Sequence, residues 1–209
     1  MKKIINIILW LTILQITRIG FKSLVFLFLD RNLMIDVIVS SIYMIIIIIF
    51  SIIVIKKKQL KLDIFPKNFN WKYLVTSIIL FTIIFTTPII TKSNSLYDVL
   101  SLIYGSIITV IFEEIIFRGY VYKKISNIKN DLWAYIISTI IFGIWHLGYI
   151  DTVMWRASII SPNANILNIM FWKVITGLLF GAALGFFRYK NKNVYSSMLA
   201  HALLNTFGR

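Results

Sequence analysis

The sequence predicts an all-α, polytopic membrane bundle of about seven transmembrane helices, and three observations predict it. Hydrophobic residues make up 59% of the 209-residue chain and the mean hydropathy is +0.85, more apolar surface than a water-soluble globule of this size can bury. Those residues fall in runs of roughly twenty, the length that crosses a hydrocarbon core of about 30 Å at 1.5 Å per residue. Short polar segments separate the runs, and the basic residues in them alternate between dense and sparse clusters. The formal charge of +14 flanks the apolar runs and builds no basic domain, so membrane orientation explains it and no nucleic-acid partner is expected. Cysteine is absent, which removes disulfides, thiolate metal sites and a catalytic cysteine. Chemistry is left to oxygen and nitrogen groups.

Lys2 and Lys3 precede the apolar run IINIILWLTILQI. This resembles the start of a signal peptide, but no small-residue cleavage site follows, so it reads as a retained first span reaching about Leu29. Arg18 and Lys22 interrupt that span and must snorkel or face other helices. A polar turn at Asp30 to Asn32 leads to a second span, about Leu33 to Ile55, ended by Lys56, Lys57, Lys58 and Lys61. After a loop containing Pro66 and Asn68, a third span runs from about Trp71 to Ile90, with Pro88 near its end, where a lost backbone bond is tolerable. The fourth runs from about Val99 to Arg118 and continues helically to Lys124. The fifth, about Leu132 to Gly148, precedes a weakly apolar stretch, 149–167, read as a loop or re-entrant piece. The sixth, about Ile169 to Phe187, carries Gly177, Gly181 and Gly185 in a small-residue stripe that suits close helix packing. The seventh covers about Val194 to Phe207. Residues 1–98 thus supply N-terminal transmembrane helices and 99–209 the helical core that carries the chemistry, in one integral membrane domain. The excess of isoleucine, lysine and asparagine reads as coding bias. With the N terminus cytoplasmic, 15 basic residues fall inside and 5 outside, which favours that orientation in a cell membrane.

The only two glutamates, Glu113 and Glu114, close the apolar fourth span. On insertion scales an ionisable residue at such depth costs roughly 2.5 to 3.5 kcal/mol, so an intramembrane pair is a functional-site hypothesis. The only two histidines, His146 and His201, also lie in apolar spans. Residues four apart share a helix face. Glu114 and Arg118 can therefore pair, leaving Glu113 as a free base; Phe142 stacks one turn before His146; His201 and Asn205 project together, with N–H groups suited to a developing oxyanion. At 1.5 Å per residue Glu113 lies roughly 10 to 15 Å from the cytoplasmic end, His146 about 20 Å, and His201 with Asn205 about 10 to 16 Å, so one shared site is feasible.

EEIIFR at 113–118 matches EExxxR, FGIWH at 142–146 matches FxxxH, and HALLN at 201–205 matches HxxxN. These motifs, in this order and on three apolar spans, resemble those of the CPBP family, the CAAX-protease and bacteriocin-processing intramembrane proteases, also called Abi or Rce1-like. The resemblance covers about residues 99–207. The motifs depart from the family pattern nowhere, although the spans number seven where the eukaryotic-type CAAX enzymes have eight. The resemblance implies intramembrane peptide-bond hydrolysis, with Glu113 as the general base, His146 as its partner, His201 and Asn205 stabilising the oxyanion, and Glu114 with Arg118 supporting the first motif. It also implies partners: the lipid bilayer and a peptide or membrane-protein substrate, among them bacteriocin or signalling-peptide precursors in maturation or self-immunity. The cofactor stays open between none and a divalent metal such as zinc. Glu113, His146 and His201 are candidate ligands with water in the fourth position, but no HExxH helix is present and Asn205 is a poor zinc ligand. Two other classes compete: a non-catalytic membrane scaffold or immunity protein, and a transporter, against which the lack of inverted hydropathy repeats counts.

Overall fold

The computed structural model describes residues 2–208, which form seven helices and, among the described residues, no strand. They are α1 (Lys2–Val25), α2 (Leu33–Lys57), α3 (Trp71–Ile90), α4 (Leu96–Ser126), α5 (Asp131–Ile160), α6 (Ile166–Asn191) and α7 (Val194–Phe207). The first six are long and apolar enough to cross a membrane, which makes the chain a multi-pass membrane protein. Helix α7 has 14 residues and spans about 21 Å, short of a full crossing. Many large apolar side chains point outward, among them Ile45, Ile46, Ile49 and Phe50 of α2, as a lipid-facing surface requires.

Helix starts are set by asparagine. Asn32, Asn70, Asn130, Asn165 and Asn193 are N-caps of α2, α3, α5, α6 and α7, each accepting from the backbone N–H three residues on. Such a cap is worth about 1 kcal/mol, so at these positions asparagine has a structural purpose beyond the coding bias read from composition. Lys192 ends α6 in the left-handed conformation, φ 57°, and lets α7 begin two residues later. The first two N–H groups of α7 donate to Asp63 and Ile64 carbonyls of the 58–70 connection, so that loop finishes the α7 N-terminus.

Two regions depart from the expected elements. The first span ends at Val25 rather than near Leu29, with 26–29 in a turn. More consequentially, residues 149–160 are helical: α5 passes through a 3₁₀ turn at His146–Tyr149 and continues to Ile160. Side chains of α1 hold that turn. Gln15 Nε2 donates to the Trp145 carbonyl at 3.2 Å and Arg18 to the Gly148 carbonyl at 2.6 Å. Arg18 also pairs with Asp151 at 2.5 Å, while Lys22 pairs with Asp36 of α2 at 2.8 Å. Both cations are 3% exposed; of the two expected placements they take the one against other helices.

Helix α4 carries π-helical segments at Tyr104–Ile108 and Ile115–Val121 around a short α stretch, Thr109–Glu114. Such widened turns concentrate at functional sites. A single core joins α1 and α2 to α4 and α5 through Leu11, Leu14, Tyr43, Met44, Phe112, Phe117 and Trp145. The glycine stripe of α6 seats on α5: a Cβ at Gly181 would stand 3.2 Å from the Phe142 ring and one at Gly185 2.7 Å from Tyr135.

Candidate active site

The site is built where α4, α5 and α7 meet. Glu113 and Glu114 end the α stretch of α4 and are 3% and 0% exposed. They point to different neighbours. Arg118, one turn on, brings NH1 to 3.1 Å from Glu114 Oε1, an ion pair off the hydrogen-bond direction, and donates from NH2 to the Gly181 carbonyl of α6 at 3.3 Å. Its guanidinium lies 4.1 Å from the Phe142 ring centroid. Arg118 is therefore interior, 1% exposed, and is no loop charge for orientation. The Arg118 carbonyl, in the second π segment, accepts from Arg188 Nε at 3.0 Å.

His201 sits between the two glutamates. Its Nδ1 lies 2.9 Å from Glu114 Oε1; a carboxylate only accepts, so Nδ1 carries the hydrogen. Its Nε2 faces Glu113 Oε2 at 3.9 Å. His146 is fixed alike: its Nδ1 lies 2.8 Å from the Phe142 carbonyl, so in the neutral ring Nε2 is a free acceptor. Phe142 meets both imidazoles edge-on, at 4.9 Å from His146 and 6.2 Å from His201. Gly177 of α6 makes room for His146, since a Cβ there would stand 2.7 Å from Nδ1. Asn205 donates from Nδ2 to the Gly105 carbonyl, in the first π segment, at 2.8 Å, which commits one of its two amide hydrogens.

Glu113, His146, His201, Asn205 and Phe142 line one cavity of about 450 Å³. Glu114 and Arg118 stand behind it. The nearest histidine contact of Glu113 is His201; His146, its partner by the family resemblance, lines the same cavity. From Ser126, where α4 ends, Glu113 is about 20 Å away along the helix axis. Among the described residues no three or more His, Cys, Asp or Glu side chains form a group that fits a metal ion. Glu113, His146 and His201, the candidate ligands if a divalent metal is used, do not form such a group.

The cavity also holds residues that the sequence did not single out. Tyr149 donates to Glu113 Oε1 at 3.4 Å and accepts from Trp145 Nε1 at 3.3 Å. Tyr104, Arg156 and Lys173 complete its upper wall. Tyr149 is three residues beyond His146, a same-face spacing, but the signal exists only if the chain stays helical past Gly148.

A model of the family described as type II CAAX prenyl endopeptidase, Rce1-like, matches residues 94–207, more than half of the chain. The chain belongs to the Rce1-like family. Its general class is thus an intramembrane CAAX-type peptidase. The match covers α4 to α7 and every motif residue, and leaves α1 to α3, with Gln15, Arg18 and Asp36, outside it. No curated protein and no solved structure matches the chain.

Proposed function

We propose that this Rce1-like chain hydrolyses peptide bonds of membrane-associated peptides or proteins with water activated by Glu113. The observation that carries the reading is that Glu113 Oε2 and His201 Nε2 stand 3.9 Å apart on one cavity wall, a pair of acceptors when the imidazole carries its one hydrogen on Nδ1. One water molecule can donate a hydrogen to each at ordinary hydrogen-bond lengths. Glu113 takes a proton as the water oxygen bonds to the peptide carbonyl carbon, and the carbonyl π electrons move onto oxygen. The free amide hydrogen of Asn205 and the Tyr149 hydroxyl are the donors available to that oxyanion. His201, which the family resemblance places at the oxyanion, commits Nδ1–H to Glu114 and presents Nε2 to the cavity. Collapse of the tetrahedral intermediate breaks the C–N bond, and the proton held by Glu113 passes to the leaving nitrogen, with His146 Nε2 placed as a relay. Products are a carboxylic acid and an amine, which exchange a proton to leave as carboxylate and ammonium, so atoms and charge balance. Glu114 and Arg118 act through His201, holding its tautomer and direction.

We place the chain in the cell membrane with the N terminus cytoplasmic, on the basic-residue asymmetry, and assign it to peptide maturation or bacteriocin self-immunity. The test is hydrolysis of a fluorogenic membrane peptide by purified protein. Glu113→Gln keeps size and loses the base, so turnover should fall to background with the melting temperature unchanged. Full activity in that variant would overturn Glu113 as the base, and no hydrolysis by the wild-type protein would favour a non-catalytic scaffold.

A further inference from the structure

The wall of the cavity above Glu113 carries more positive charge than its surroundings balance. Arg156 of α5 and Lys173 of α6 line it, and Arg18 and Lys22 of α1 with Arg31 of the following turn stand in the neighbouring ion pairs. Two carboxylates lie within ion-pair distance of them. Asp151 takes Arg18, and Asp36, fully buried, takes Lys22 at 2.8 Å, Arg31 at 2.7 Å and Arg156 at 3.2 Å. Arg156 is the outermost partner of a saturated carboxylate, and its buried Nε has no hydrogen-bond partner. Lys173 has no ion-pair or hydrogen-bond partner among the described residues; its recorded contact is the Tyr149 ring, with Nζ 5.6 Å from the centroid. Both Arg156 and Lys173 line the cavity that holds Glu113. An unpaired ammonium in an apolar span, as at Lys173, is costly and calls for an anion.

We propose that Arg156 and Lys173 form a carboxylate-binding subsite of the active-site cavity, taking an acidic group carried by the peptide close to the bond that is cleaved. Only the identity of the ligand as a peptide rests on the hydrolase reading. Lys173 reaches the Tyr149 ring and the Tyr149 hydroxyl reaches Glu113 at 3.4 Å, so the contacts in series put the ammonium no more than about 12 Å from the Glu113 carboxylate. An extended peptide advances about 3.3 Å per residue, which sets the acidic group within about three residues of the reacting carbonyl. A chain end and an Asp or Glu side chain present the same chemistry. The guanidinium offers a planar fork and the ammonium a point charge, a pair that suits a carboxylate with two oxygens.

Binding separates this idea from catalysis. Fluorescein-labelled apolar decapeptides are made as a set that differs in one group: a C-terminal carboxylate or carboxamide, and Glu or Gln at each of the last three positions. Titrated onto the full chain in detergent, at least one acidic peptide should bind about tenfold more tightly than its neutral twin. Lys173→Met should abolish that difference by weakening the acidic peptide alone, with the melting temperature unchanged, because the lysine has no partner to lose. Lys173→Arg should keep it, and Arg156→Gln should reduce it. Whether the chain-end or the side-chain member carries the preference identifies the source of the carboxylate. Equal binding of every acidic and neutral pair, including no binding by any, would overturn the subsite, as would a Lys173→Met protein that weakens both members alike. Acid-selective binding that depends on Lys173, in a protein that cleaves none of the peptides, would uphold the subsite and count against the hydrolase.

Discussion

Two adjacent glutamates, identical in type and depth, have different surroundings, and those surroundings separate their roles. Glu113 faces the cavity, Tyr149 and His201 Nε2. Glu114 is enclosed by Arg118 and His201 Nδ1, with Oε1 shared between them. Removing the charge of Glu114 strands a buried guanidinium, and breaking one side of a buried pair typically costs about 3 to 5 kcal/mol. Glu114→Gln should therefore lower the melting temperature as well as the activity, in contrast to Glu113→Gln. Adding Arg118→Met to Glu114→Gln should recover part of the stability in a melting curve. Activity should stay low, because His201 still lacks the acceptor that sets its tautomer. Equal melting temperatures for the two Gln single variants would remove the ion pair from the account. The motif residues are legible in sequence because each is chemically rare inside an apolar span. Tyr149 is not, since one more aromatic in a chain with 10 tyrosines stands out only once its hydroxyl is seen against Glu113.

At the level of elements, α6 and α1 shape the site without supplying any of its motif residues. The stripe Gly177, Gly181, Gly185 is a packing surface, as its spacing suggests, yet its members meet different things. A Cβ at Gly177 would press on His146 Nδ1 and one at Gly185 on the Tyr135 ring, each at 2.7 Å. Gly177→Ala should therefore push the imidazole aside, and a displacement of about 1 Å in a reacting group can cost up to about a hundredfold in rate. Gly185→Ala should cost stability by about 1 to 3 kcal/mol through overpacking, with a smaller loss of rate. The comparison is kcat against melting temperature for the pair; matching profiles would show that the stripe is only structural. Arg18 of α1 anchors the His146–Tyr149 turn through Gly148 and Asp151. Arg18→Met should loosen that turn and lower kcat, and Arg18→Lys should restore little of it, since an ammonium cannot span both acceptors with a planar fork. A wild-type kcat for Arg18→Met would show that the 3₁₀ turn holds itself.

For the whole molecule, the seven helices form one bundle whose core crosses from α1 and α2 into the family-matched half. An isolated 99–209 segment would expose Phe112, Phe117 and Trp145 where α1 and α2 now cover them. The lysine-dense connections at 58–70, 127–130 and 192–193 lie at one end of the bundle and the turn at 161–165 at the other. Reporter fusions after Lys61 and Lys129 should read as cytoplasmic, and one within 161–165 as external. A cytoplasmic signal from the last would break the alternation of spans. The stretch at 149–160, read as a loop or re-entrant piece, continues α5 as helix, so an insertion there should lower the amount of folded protein more than one within 161–165.

What the sequence by itself determined is the solvent and the chemistry. Apolar runs of membrane length can only be satisfied as helices, because hydrocarbon offers backbone groups no partners, and ionisable residues inside them mark the site. The α3 and α7 limits and the seven motif positions on α4, α5 and α7 follow from that local logic. Tertiary structure decided the pairings: which glutamate takes the arginine, which histidine faces Glu113, and that Asn205 spends a hydrogen on Gly105. It also decided that α5 continues past His146, because the carbonyls released at its 3₁₀ turn are satisfied by Gln15 and Arg18, some 130 residues away in the chain. Helical periodicity reports a residue's own face and depth; the partner across the bundle is fixed by packing between segments distant in sequence, and the local pattern holds no record of it.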